Sequence, residues 1–177
     1  MVRYNRSGAV SAVQNDPPSR AAAARTTVAN AATGGAGPLP AITTSFINPI
    51  PVVSVTLDTE RLGDLSVLLD FTAIISLPLA VNVNLNFQLL RSIDNGPLIS
   101  IGPLFTFART VTSLETDSFG FQAYDREIDG DSVTYSVVVA TSSTISVAAA
   151  VTVLNATLSA VGTGRETLRM RARERDT

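Results

Sequence analysis

At 177 residues the chain has room for one domain and some terminal extension, and 45% hydrophobic content argues for a packed core rather than disorder. It has no Cys, no His and no Lys, so all 13 basic side chains are Arg. Disulfides, thiolate or imidazole metal sites, His-based proton transfer and Schiff-base chemistry are therefore excluded, and no cofactor is expected.

Residues 1–40 hold Pro17-Pro18, the Ala21–Ala24 run, Gly34-Gly35, Gly37, Pro38 and Pro40, with weak apolar periodicity. They read as a flexible N-terminal arm. Within it, Ser11-Ala12-Val13 or Arg25–Asn30 could become a donor strand against a partner. The stretch MVRYNRSGAVSAVQNDPPSR has no apolar core, so no signal peptide is recognised. Phe71–Val81 is the longest apolar stretch and is too short and too interrupted to span a membrane.

From Ala41 the pattern turns to strands, which continue to residue 164. They are expected at Thr43–Phe46, Val52–Asp58, Leu65–Ser76, Val81–Arg91, Leu98–Phe107, Ser118–Tyr124, Ser132–Thr141 and Thr144–Val161. Alternation is clearest from Val81 to Leu89, where Val, Leu and Phe fall on one face and Asn and Gln on the other. Asp94-Asn95-Gly96-Pro97 and Ile128-Asp129-Gly130-Asp131 supply turn chemistry. Beta-branched residues fit such strands, and about eight of them with short turns predict an all-β fold, an antiparallel β-sandwich or jelly roll. The segment Thr144–Val161 (TISVAAAVTVLNATLSAV) is apolar on both faces in places, which burial against another subunit would explain. Residues 165–177 read as a charged, solvated tail.

Charge divides by segment. Residues 1–40 carry four Arg against one Asp, residues 41–164 four Arg against eleven acids, and residues 165–177 five Arg against three acids. Basic ends on an acidic body suit either docking on neighbouring bodies or contact with a polyanion.

Few residues group in a way that could carry chemistry. Asp125, Glu127, Asp129 and Asp131 alternate before and after Gly130 like the opening of a calcium loop. Position twelve is Ser136 rather than a bidentate Glu, so a solvated hairpin tip is the plainer account and calcium the secondary one. Asp58, Glu60 and Asp64 surround Arg61, but surface acids are ordinary in such a loop and nothing raises a carboxyl pKa for acid–base work. Ser and Thr are abundant with no His to activate them, so no enzymatic activity is expected.

The stretches FQLLRSIDNGPLISIGPLFTFART, DSFGFQAYD, VTYSVVV and LNATLSAV resemble an uncharacterised β-sandwich domain family of spore-forming Firmicutes. The resemblance spans Thr43–Val161 and implies a spore-surface or extracellular structural protein. More loosely, the chain resembles the endospore-appendage pilins, jelly-roll subunits joined by N-terminal connector arms and made without a signal peptide. Those pilins are linked by disulfides, and this chain has no Cys, so a fibre of it must hold by strand complementation and apolar burial. The expected partner is therefore the chain itself, as a homopolymer with no small-molecule substrate and no membrane. Val10, Val13 and Val28 would fill a neighbour's groove, and Arg20 and Arg25 would meet its acidic body. The alternative is a jelly-roll coat protein whose Arg-bearing ends contact nucleic acid; a carbohydrate- or calcium-binding module is a third possibility.

Overall fold

A computed structural model of the chain describes residues 26–42, 49–79, 81–141 and 151–166. Eight strands follow in order: β1 Thr27–Ala36, β2 Ile50–Asp58, β3 Leu62–Leu77, β4 Val81–Ile93, β5 Ile99–Val111, β6 Glu115–Ile128, β7 Ser132–Thr141 and β8 Thr152–Glu166. They form two four-stranded antiparallel sheets, ordered β1-β8-β3-β6 and β2-β7-β4-β5.

The pairing is nested. β1 pairs with β8, β2 with β7, β3 with β6 and β4 with β5, so each pair of numbers sums to nine. One long antiparallel hairpin has been rolled up, and β3–β8 and β4–β7 pairing closes each sheet. This is the jelly-roll order, and the fold is an all-β antiparallel sandwich of that kind.

Alternation explains which face each strand buries. Val83, Leu85, Phe87 and Leu89 of β4, with Val133, Tyr135, Val137 and Val139 of β7, point inward against Leu65, Val67, Leu69, Phe71 and Ile75 of β3. The two flanks of the sandwich close differently. On one, β1 lies close over β2: a Cβ at Gly34 would collide with the Ser54 carbonyl. On the other, Phe105 of β5 stacks on Phe121 of β6 at 3.8 Å between centroids and 5° between planes. Phe119 extends that stack to Phe87 at 4.9 Å. Aromatic contact thus joins the edges of the two sheets where few backbone groups meet.

β1 corrects the expected boundary of the arm. Thr27–Ala36 falls within the expected loose segment 1–40, yet it pairs residue for residue with Arg165–Ala156 of its own chain. Its inward side chains are Val28, Asn30, Ala32, Gly34 and Ala36. They are small because the sandwich narrows there, and so they show no hydrophobic alternation. The last strand also differs: β8 runs to Glu166, past the expected start of the tail. A bulge at Leu154 shifts its phase, leaving Val153 and Ala156 inward with Leu154 and Asn155 outward. That shift accounts for part of the two-sided apolar pattern in this segment. The expected strand Thr43–Phe46 lies outside the described residues.

Candidate functional site

All the turns named so far gather at one end of the sandwich. The β2–β3, β4–β5 and β6–β7 connections lie there, where the chain also enters at Thr26 and leaves at Glu166, joined by a 3.1 Å backbone hydrogen bond from Glu166 N–H to the Thr26 carbonyl. The β4–β5 turn is closed by a hydrogen bond from Gly96 N–H to the Ile93 carbonyl at 2.8 Å, with Asp94 at φ 48 and Asn95 at φ 59. Those two positive values match the primed turn that suits the strand twist. Asp94 Oδ1 then accepts from the backbone N–H groups of Asp131 and Ser132, each at 2.9 Å, tying two turns together.

The same end carries most of the body's negative charge. Asp58, Glu60, Asp64, Asp94, Glu127, Asp129, Asp131 and Glu166 are all exposed there, against Arg61, Arg126 and Arg165. Two of those cations are already engaged: Arg165 pairs with Asp64 at 2.9 Å, and Arg126 lies over the Tyr124 ring at 4.7 Å. At the opposite end the described connecting residues 37–42, 49, 78–79, 112–114 and 151 contain no charged side chain, and Glu115 opens β6 beside them.

Just inside the acidic end lies a buried polar cluster. Arg91 Nη1 donates to both Asp125 oxygens, at 2.9 and 3.0 Å. The Tyr135 hydroxyl donates to Asp125 Oδ2 at 2.9 Å, and Arg126 N–H to Oδ1 at 3.0 Å. Burial first, and then the Asp125 charge, push the Tyr135 phenol well above its ordinary range. Arg91 comes from β4, Asp125 from β6 and Tyr135 from β7, so the cluster bolts one sheet to the other. Three donors thus make four hydrogen bonds to the Asp125 carboxylate, which ties the sheets together. On the exposed β5–β6 flank, Arg109 pairs with Asp117 at 2.7 Å, and that hydrogen bond holds the Asp117 carboxyl below its usual value.

The sequence-predicted calcium residues are not brought together. Asp125 faces inward to Arg91 and Tyr135, whereas Glu127 sits at the β6 bulge with φ 56. Asp129 and Asp131 flank the β6–β7 turn. Among the described residues no three His, Cys, Asp or Glu side chains group so as to hold a metal ion, and the four acids of the secondary calcium reading lie apart. The Asp58–Asp64 loop is likewise no acid pair: Asp58 Oδ1 caps Glu60 N–H at 3.0 Å and Asp64 turns to Arg165. Val28, expected to reach a neighbour, packs on its own core instead. Val10, Val13, Arg20 and Arg25 lie outside the described residues. The sequence reading missed Arg91 and Tyr135, although phase could have found them: both continue an inward series, 83-85-87-89-91 and 133-135-137.

The model of the family described as Domain of unknown function (DUF4489) matches residues 25–163, and the chain belongs to that family. The match begins just before β1 and runs into β8. No curated protein matches the chain. Two solved structures are similar at low identity. Eiger TNF from S. frugiperda is 10% identical with a TM-score of 0.39, over 76% of this chain and 91% of that one. The infectious bursal disease virus Gt strain structure is 12% identical with a TM-score of 0.36, over 89% of this chain and 43% of that one.

Proposed function

We propose that this DUF4489 member is a structural subunit that assembles with copies of itself, with residues 1–25 of one copy docking on the acidic end of the next. The observation that supports this is the placement of charge. Residues 1–25 carry four Arg against one Asp, and they enter the sandwich at Thr26 beside eight exposed carboxylates. Among the described residues Asp125 is the buried carboxylate, and its bonds to Arg91, Tyr135 and the Arg126 N–H support a structural reading of it.

Reach is sufficient for a directional contact. An extended 25-residue segment spans up to about 80 Å, against roughly 50 Å for the 16-residue β3. It can therefore run along a neighbour stacked in the same direction and arrive at that neighbour's acidic end. Such a contact does not close on itself, so it builds a filament. A fibre outside the cell or on a spore surface is the setting implied by the sequence resemblance.

Electron microscopy of the full-length protein tests this, beside a variant lacking residues 1–25. Filaments that vanish in the shortened, still folded protein are expected; filaments that persist would refute arm docking. Deleting residues 1–40 is not a fair version, because it removes β1. A second reading, a coat protein whose Arg-bearing ends contact nucleic acid, is favoured by the jelly-roll order alone. Closed shells, with a 260/280 absorbance ratio that falls as salt rises, would put it first.

A further inference from the structure

We infer that the outer face of the β2-β7-β4-β5 sheet is a contact surface for a second copy of this chain. The inference deepens the self-assembly proposal and rests on it, but it does not need the arm. Apart from Asp58 at the end of β2, none of the residues these four strands turn outward is charged. The middle row, Ser54–Ser136–Leu90–Ser100, runs in register across all four strands without a charge. The outer face of the other sheet is different: Asp70, Arg126 and the Asp64–Arg165 pair lie on it.

Apolar side chains occupy the centre of the uncharged face. Leu90, Leu98, Leu104 and Val138 line a shallow groove bordered by Pro49 and Pro51. Leu98 is 57% and Leu104 60% exposed, a large share for leucine. Charge depletion around an apolar centre is the compositional mark of an interface core. The polar side chains around it already bond to the sheet itself. Thr56 and Thr134 hydroxyls meet at 2.8 Å, Thr106 donates to Asn86 Oδ1 at 2.9 Å, and Gln88 Nε2 donates to the Ile101 carbonyl at 3.2 Å. Covering these groups strands few donors or acceptors, so desolvation costs little.

Electrostatics and area select a second copy as the occupant. The body at residues 41–164 has eleven acids against four Arg, so two copies repel where their acidic surfaces meet. This face lets them approach without opposing charges. Four strands about 4.8 Å apart and some ten residues long cover roughly 600 Å² in plan, near the about 800 Å² per partner of a stable interface. A face-to-face pair of this kind is closed, so arm docking would then link pairs into a two-stranded filament.

Sedimentation velocity of the full chain in about 0.5 M NaCl tests the inference, because salt at that level shrinks the screening length to about 4 Å and weakens arm–acid attraction. The full chain is expected to sediment as a dimer there. Leu90→Glu and, separately, Ser136→Arg should each weaken that dimer at least tenfold while the thermal melt shows a folded domain. Ser136→Arg removes no apolar side chain from the monomer, so it guards against a variant that merely unfolds. A monomeric wild-type chain in high salt, or dimers unaffected by both substitutions, would overturn the inference. High-salt dimers that no longer form long low-salt filaments after removal of residues 1–25 would support both contacts. High-salt dimers beside filaments indifferent to that removal would sink the arm alone.

Discussion

Asp125 shows how much rests on single side chains in a fold without disulfides. Its side chain is 11% exposed and that of Arg91 16%, which places the pair among buried rather than surface ion pairs. Asp125→Ala would leave a guanidinium without its counter-charge and a buried phenol without its acceptor. A loss of about 3–5 kcal/mol is expected in urea unfolding, the usual cost of breaking a buried pair from one side. Tyr135 gives a separate, pH-dependent signature. The folded protein holds the Tyr135 proton more tightly than the unfolded chain does, because burial and the Asp125 charge raise its pKa. Stability from this group is therefore intact below the ordinary phenol value of about 10 and falls as pH rises above it. With no Lys and no Cys present, Tyr is the only side chain type that ionises between about pH 9 and 12, so the effect is not masked. Thermal melts from pH 9 to 11 should show a steeper alkaline decline in wild type than in Tyr135→Phe; identical slopes would refute the assignment.

Among the elements, β1 marks the limit of what sequence could tell. The strands β2 to β7 were legible because β-branched and aromatic residues alternate with polar ones, and their turns carry Asp, Asn and Gly. β1 carries the sequence TVANAATGGA, small on both faces, and its Gly pair looks like a turn. Its strand character comes from ten paired positions on β8 and from a narrow gap that only small residues fit, neither of which is local information. The acidic end was visible only as composition, since the gathering of three turns and both chain ends depends on nested pairing. Gly34 tests the narrow gap. A Val there would drive its Cβ into the Ser54 backbone, which cannot rotate aside as a side chain can. Gly34→Val should cost about 1–3 kcal/mol as overpacking, measured by denaturant midpoint, whereas Gly35→Val on the outward face should cost far less. Equal losses would mean the β1–β2 approach does not constrain the strand.

Across the whole molecule, charge is sorted by end, and sorting suits directional assembly more than solubility. An evenly acidic body would repel its neighbours in every orientation; this one concentrates most of its exposed acids at the end where β1 begins and β8 finishes, and keeps one sheet face uncharged except for Asp58 at its rim. If basic residues in 1–25 meet the acidic end of another copy, the attraction must follow the product of the two charges. Reversing the end with Glu60→Arg and Asp129→Arg should weaken filament formation at low salt while leaving the melting temperature nearly unchanged, since both acids are exposed on turns. Reversing the arm with Arg20→Glu and Arg25→Glu should weaken it likewise. Mixing arm-reversed with end-reversed protein then offers a discriminating result. Complementary charges are restored between an arm of one variant and an end of the other, so mixed filaments should form where neither variant assembles alone, seen as recovered light scattering. Mixtures as inert as their components would show that arm and acidic end do not meet in the assembly.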